Sequence, residues 1–135
     1  MNLSVSATLL YAVVGAVALT YFPYLFVATA RFQVGYDMSA PRAMLDKLPL
    51  YAQRATWAHQ NCFEALIIFT SAALMAYVTG VGSDWARISA ISFLVSRFFF
   101  SLFYILDIPP LRSLMFGIGS AASFTLFALS LKTVI

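Results

Sequence analysis

Four long apolar runs dominate this chain and limit its possible folds more than any other feature. The first, 3–30, contains no charged residue and exceeds the roughly 20 residues that an α-helix needs to cross a bilayer. The others cover 55–79, 88–106 and 113–131. Backbone groups in hydrocarbon must be satisfied internally, and these runs lack the polar–apolar alternation of barrel strands. We therefore predict an all-α membrane protein, a four-transmembrane-helix bundle with one domain over 1–135.

Composition agrees with this interpretation and excludes several other classes of protein. The chain is 62% hydrophobic and 10% charged, whereas a soluble domain is about 25% charged. Its net charge of +3 is spread along the sequence, so nucleic acid is not an expected partner. Cys62 is the only cysteine, which excludes an intramolecular disulfide. The first run lacks a charged leading segment and is too long for a signal peptide, so we expect a retained span.

The segment 31–54 between the first two runs is charged and contains two prolines, which predicts a loop with a short interfacial helix. Pro23 is expected to kink the first span or mark a break near its end. The positive-inside rule places both termini outside and this loop in the cytoplasm. The lysines and arginines of the predicted cytoplasmic face are Arg31, Arg42, Lys47, Arg54 and Arg112, against Arg87 and Lys132 on the other. The compact loops favour a bacterial inner membrane, or the endoplasmic reticulum membrane if the source is eukaryotic.

Two spans contain ionisable residues well away from their ends, Glu64 in the second and Arg97 in the third. A charge near the bilayer centre costs from about 3 to more than 10 kcal/mol, so it is normally paired or functional. Each residue lies about ten positions, or roughly 15 Å, from the cytoplasmic end of its span. We therefore predict that Glu64 and Arg97 form an ion pair, within one subunit or across an interface.

Helical spacing gathers further polar residues around this pair. Arg54, Asn61 and Glu64 are separated by seven and three residues, so they share one face of the second helix. Arginines suit carboxylates, a glutamate suits an ammonium group and amides suit peptide bonds, so the pattern predicts a site for a small, charged, peptide-like ligand. The cytoplasmic-facing cavity is expected to contain Arg31, Arg54, Gln60, Asn61, Glu64, Arg97, Tyr104 and Arg112.

Two other functions are compatible with the same residues. A catalytically silent scaffold would use intramembrane salt bridges only to hold the subunits together. A small transporter would use Glu64 as a proton carrier, although four spans without an inverted repeat or broken helices argue against it. His59 has no second histidine beside it, so no metal site is expected. Cys62 is interpreted as a packing residue.

Arg54 followed by Ala58-His59-Gln60-Asn61-Cys62-Phe63-Glu64 resembles the second-helix signature of the MAPEG family, the membrane-associated proteins in eicosanoid and glutathione metabolism. Arg97 and Tyr104 are similar to the family's arginine and tyrosine seven residues apart, and Arg112-Ser113 stands where the fourth helix of the family begins with an arginine. The resemblance covers nearly the whole chain. It implies a homotrimer with glutathione, as co-substrate, bound from the cytoplasmic side at subunit interfaces.

The resemblance also implies roles for individual residues. Arg112 would be catalytic, because a positive charge beside the glutathione thiol lowers its pKa, and the sulfur would attack a lipophilic electrophile or hydroperoxide arriving from the bilayer lipid. Two positions depart from the family pattern. Gln60 stands where many members have a basic residue, and Phe116 stands where many have a tyrosine, so a hydroxyl is missing there. The expected glutathione ligands are Arg31, Arg54, His59, Gln60, Asn61, Glu64, Arg97 and Tyr104.

Overall fold

The computed structural model describes residues 3–135, which form four long α-helices. A 3-10 helix, Pro41–Lys47, lies in the loop between the first two. No strand occurs within 3–135, and all four α-helices are long and apolar enough to cross a membrane. The predicted all-α bundle is therefore confirmed. The helices are α1 Val5–Val34, α2 Leu50–Val78, α3 Asp84–Ile105 and α4 Pro109–Val134.

Every helix extends beyond its apolar run at one end or both. The largest extension at a helix start is in α2, which begins at Leu50 rather than near 55. Pro109 and Pro110 occupy the first turn of α4, where the missing N–H would have no intrahelical partner in any case. Pro23 lies buried inside α1, and the helix continues past it to Val34. This proline therefore does not end the first span.

Short-range chemistry sets the helix boundaries. The Ser4 hydroxyl accepts a hydrogen bond from the backbone N–H of Ala7 at 3.1 Å, and Ser83 accepts one from Trp85 at 3.2 Å. Both serines are N-caps that satisfy otherwise unpaired donors. Asp107, between α3 and α4, has φ 59°, a left-handed conformation that is uncommon for residues other than glycine. It reverses the chain within a three-residue connection.

The helices pack through small side chains. The buried face of α2 consists mostly of alanines, and small residues allow helix backbones to approach closely in a membrane. Between α2 and α3 the buried side chains of Phe69 and Phe93 stack, with ring centroids 3.8 Å apart. The buried residues of α2 are Ala52, Ala55, Ala58, Cys62, Phe69, Ala72, Ala73 and Ala76.

The spatial arrangement of the four helices determines which cavity each polar residue of α2 lines. Helix α2 contacts α1, α3 and α4, whereas α1 and α4 have no contact with each other in the described part of the chain. Helices α1 and α4 therefore lie on opposite flanks of α2. Polar residues on the two sides of α2 consequently enter different cavities.

Candidate functional site

Arg97 is the buried polar centre of the bundle, with only 3% of its surface exposed. Its Nη2 donates to Asn61 Oδ1 at 2.8 Å and to Cys62 Sγ at 3.3 Å. The guanidinium carbon lies 4.0 Å from the ring centroid of Phe100, within the range of a cation–π interaction. Its Nε has no partner among residues 3–135. The guanidinium is therefore held by neutral groups and retains a free donor.

The predicted ion pair between Glu64 and Arg97 is not formed within one chain, since the two salt bridges among the described residues are Arg54–Asp107 and Arg87–Asp84. The reason is helix register. Arg54 Nε donates to the carbonyl oxygen of Ile105 at 3.0 Å, so these two positions are level across α2 and α3. Eight residues, about 12 Å, separate Arg54 from Cys62 and Ile105 from Arg97. Arg97 is therefore level with Cys62.

Glu64 lies two residues beyond Cys62 and is turned about 200° from it around the helix axis. It is exposed on the surface of the single chain. It nevertheless lines the same cavity as Arg97 and Asn61. The predicted pair is thus absent within one chain, and the alternative, an ion pair across a subunit interface, stays a prediction.

This cavity, which we call the inner cavity, lies between α2, α3 and α4 and has a volume of about 100 Å³. Its walls are mostly apolar, with polar side chains from α2 and α3 and two serines, Ser120 and Ser123, from α4. Its lining residues are Asn61, Glu64, Ala65, Ile68, Phe93, Arg97, Phe116, Gly119, Ser120, Ser123 and Phe124.

A second cavity, the rim recess, has a volume of about 240 Å³ and lies nearer the α3–α4 connection. The guanidinium carbon of Arg112 lies 4.6 Å from the ring centroid of Tyr104. This contact holds the cation of α4 against the last turn of α3. The residues of the rim recess are Asn61, Phe100, Tyr104, Arg112, Ser113 and Phe116.

The largest of the three cavities, about 520 Å³, lies on the other flank of α2. We call it the flank cavity. His59 lies 5.1 Å from Tyr24 between ring centroids, and its Nδ1 donates to the carbonyl oxygen of Thr20 at 2.6 Å. Nε of Arg31 is buried without a partner in the described chain. The flank cavity is lined by Tyr24, Val27, Arg31, Pro41, Arg42, Leu45, Thr56, His59, Gln60 and Phe63.

Arg54 lines none of these cavities. Besides its bond to Ile105, its Nη1 lies 3.9 Å from Asp107 Oδ2. It thus bonds a carbonyl at the C-terminal end of α3, where backbone acceptors have no intrahelical donor and a positive charge is favourable. Within one chain the contacts of Arg54 hold the α3–α4 connection against α2.

The structure thus divides the predicted site residues between the two flanks of α2. Asn61, Glu64, Arg97, Tyr104 and Arg112 line two cavities that adjoin on the α4 side. Arg31, His59 and Gln60 line the flank cavity on the α1 side. The single continuous cavity predicted from helix spacing is not present in one chain: Gln60 and Glu64 are one turn apart on α2, yet Gln60 lines the flank cavity and Glu64 lines the inner cavity.

Sequence reasoning missed two neutral residues of these cavities. Phe100 packs under Arg97, and Ser120 adds a hydroxyl to the inner cavity. Phe100 could have been identified from its spacing, because it is three positions from Arg97 on the same helix. No comparable signal identifies Ser120, because a serine in an apolar helix usually bonds its own backbone.

Comparison with protein-family models matches residues 8–132 to the MAPEG family. This match includes every residue assigned above to the three cavities. Neither a curated protein nor a solved structure matches the chain significantly.

Proposed function

This chain belongs to the MAPEG family, and on that premise we propose that it is an integral membrane glutathione-binding protein that acts on lipophilic electrophiles or hydroperoxides. The observation that carries the proposal is the Arg97 guanidinium. It is buried, is held only by neutral partners and retains an unpartnered Nε in the described chain. A buried charge without a carboxylate is costly in a membrane. An anionic ligand would offset that cost.

Glutathione has the groups that this site could accommodate: two carboxylates, one ammonium, two peptide bonds and one thiol. On the α4 side, Arg97 and Arg112 would bind anionic groups, and the exposed carboxylate of Glu64 would bind the ammonium. Asn61 lines both the inner cavity and the rim recess, so its amide can reach a peptide bond from either. Tyr104 already contacts Arg112 and would add a hydroxyl.

The flank cavity would supply the remaining contacts if two copies associate. Arg31, His59 and Gln60 line the flank cavity, which is separate from the two cavities on the α4 side, so within one chain they do not face the same space. Repeating one head-to-tail interface around a ring would bring the flank cavity of one subunit to the α4 side of the next. We therefore propose a homotrimer with the ligand between subunits.

The chemistry would depend on Arg112. A cation beside the thiol favours the thiolate, which is the nucleophilic form. With an electrophile, the sulfur forms a bond to carbon and the leaving group departs with its electron pair. With a hydroperoxide, the sulfur attacks the distal oxygen, the O–O bond breaks and the alkoxide takes the proton. A second glutathione then reduces the sulfenic acid, giving glutathione disulfide and water.

The proposed orientation places the loop 31–54 in the cytoplasm. The contact between Arg54 and Ile105 puts this loop and the α3–α4 connection at the same end of the bundle. That end therefore carries most of the lysines and arginines, as the positive-inside rule requires. Glutathione would enter from this side, and the proposed membrane is the bacterial inner membrane.

Thermal unfolding of the purified protein with and without millimolar glutathione tests the proposal, because a ligand that binds only the folded state raises the melting temperature. Glu64→Gln should abolish the shift, whereas Asp84→Asn, a carboxylate outside all three cavities, should preserve it. Arg112→Leu should retain at least part of the shift and lose turnover of a chlorodinitrobenzene. No shift in the wild-type protein at any millimolar concentration would refute the function.

One observation favours a catalytically silent scaffold instead. The bonds from Arg97 to Asn61 and Cys62 join α3 to α2, which is a structural role that needs no ligand. In that case Arg97→Leu would lower the melting temperature or dissociate the oligomer, and glutathione would change neither property of the wild-type protein. The effect of glutathione on the melting temperature of the wild-type protein therefore distinguishes the two hypotheses.

A further inference from the structure

A further cavity, which we call the outer groove, lies between α1 and α3 at the end of the bundle opposite the loop 31–54. Its volume is about 350 Å³. None of its residues lines the inner cavity, the rim recess or the flank cavity, so the proposed function leaves it unassigned. The outer groove is lined by Leu3, Thr8, Tyr11, Ala12, Arg87, Ile91 and Leu94.

Arg87 lies at the mouth of the outer groove, level with the start of α1. Its Nη2 donates to the carbonyl oxygen of Leu3 at 3.2 Å, and both residues stand where an apolar run of the sequence begins. An arginine at the end of a membrane span extends into the headgroup region. Its Nε is buried and has no partner among residues 3–135. The guanidinium therefore keeps a free donor at the depth of the phospholipid phosphates.

A carboxylate lies directly beside this cation. Asp84 Oδ1 accepts a hydrogen bond from Arg87 Nη1 at 2.6 Å, and the side chains of Asp84 and Arg87 are 79% and 37% exposed. Exposed ion pairs contribute little to stability, so this pair can rearrange around a charged ligand at low cost. A zwitterionic group complements both charges, whereas the carboxylate would repel a simple anion.

Beyond Arg87 the outer groove becomes mostly apolar and continues into the membrane. Ile91 and Leu94 lie four and seven residues further along α3, or about 6 and 10 Å deeper. On the α1 side, the Thr8 hydroxyl already donates within its own helix at 3.0 Å. Tyr11 and Ile91 are 66% and 50% exposed, so the groove opens sideways to lipid. A charged mouth above an apolar channel fits a phospholipid headgroup and the first part of one acyl chain.

We propose that the outer groove binds one phospholipid with a phosphoethanolamine headgroup. The phosphate would lie on the Arg87 guanidinium, whose planar donors match phosphate oxygens, and the ammonium would lie on Asp84. A primary ammonium offers three N–H donors to a carboxylate, whereas the quaternary ammonium of choline offers none. The acyl chain only exchanges one apolar environment for another, so the headgroup determines the selectivity. The bound lipid would hold the start of α1 against α3, whether or not the protein binds glutathione.

Native mass spectrometry of the full-length protein in detergent tests this proposal. The protein is mixed with equal amounts of dioleoyl phosphatidylethanolamine, phosphatidylcholine and phosphatidylglycerol, and the retained lipids are counted per subunit. Wild-type protein should retain phosphatidylethanolamine about threefold more than either of the others, a factor typical of contacts between exposed charges. Asp84→Asn should still bind lipid but lose the preference over phosphatidylcholine. Arg87→Leu should lower the retention of all three lipids about threefold.

Lys132→Gln is the matched control, because Lys132 is an exposed cation at the same end of the bundle and does not line the groove. Its lipid retention should equal that of the wild-type protein. A preference for phosphatidylglycerol would overturn the assignment, because Arg87 would then bind anionic lipids without help from Asp84. Equal retention by the wild-type protein and Asp84→Asn, with the same headgroup ratios, would also overturn it. This second comparison remains decisive if Arg87→Leu does not fold, because Asp84 is exposed and its substitution leaves the buried packing intact.

Discussion

The hydrogen bond between Arg97 and Asn61 predicts that substitutions of these two residues change the stability of the folded protein in opposite directions, or that only one of them destabilises it. Asn61→Leu removes the best partner of a buried guanidinium and should destabilise the folded protein. Arg97→Met removes the buried charge itself together with its need for partners, so it should be neutral or stabilising. The double variant should be more stable than Asn61→Leu alone, because no unsatisfied charge remains.

The size of the effect follows from the contact. Hydrogen bonds between membrane helices average about 0.6 kcal/mol in double-mutant cycles, and a charged donor roughly doubles the strength of a hydrogen bond. The 2.8 Å separation is at the short end for such a bond. We therefore expect a coupling energy of about 1–2 kcal/mol between positions 61 and 97.

The four proteins to compare are the wild type, Asn61→Leu, Arg97→Met and the double variant. Their free energies of unfolding would be measured in mixed micelles without glutathione. The readout is the loss of the helical circular dichroism signal as the fraction of sodium dodecyl sulfate rises. The control combines Asn61→Leu with Arg87→Met, since Arg87 lies near the start of α3, ten residues from Arg97. Those two effects should add. Additivity within about 0.3 kcal/mol for positions 61 and 97, or strong destabilisation by Arg97→Met, would refute the reasoning.

Two further predictions concern the packing that positions the cavities. Arg54→Gln should lower the free energy of unfolding by about 1.5–3 kcal/mol, because a charged donor to the α3 carbonyl is lost; Asp107→Asn should cost less than about 1 kcal/mol, because the ion pair is long and exposed. Gly119→Ala should destabilise by about 1–3 kcal/mol through overpacking, and Ser96→Ala should restore part of the loss. Gly117→Ala, where an added Cβ has no neighbour within 4 Å, should be neutral or slightly stabilising. Thermal unfolding in detergent measures all of these changes.

The four helices could be predicted from the sequence because lipid imposes a simple requirement on each segment separately. A run such as 3–30 must be helical whatever surrounds it, since its backbone has no other source of hydrogen bonds. The helix ends could not be predicted from apolarity. Helix α2 begins at Leu50 because propagation of a helix continues into polar sequence until a residue such as Pro49 stops it.

Most of the polar residues singled out from the sequence line cavities in the structure, but their grouping could not be predicted. Spacing along one helix correctly placed Asn61 and Glu64 on one side, since this depends only on helical geometry. Which side of α2 faces α1 and which faces α4 depends on tertiary packing. Gln60 was expected to join Glu64 because the two are four residues apart; in the structure each lines the cavity of a different flank.

The missing ion pair shows why depth alone cannot identify a contact between helices. Counting from the ends of the apolar runs gave Glu64 and Arg97 equal depth, but the end of an apolar run is not a fixed reference point. The hydrogen bond from Arg54 to Ile105 is a fixed reference point between α2 and α3. It places Arg97 level with Cys62 and beside Asn61. A guanidinium that met Glu64 directly would have little remaining attraction for an anion. Because the two charges line one cavity of the single chain without pairing, each remains available to the opposite charge of a zwitterionic ligand, as the proposed binding of glutathione requires.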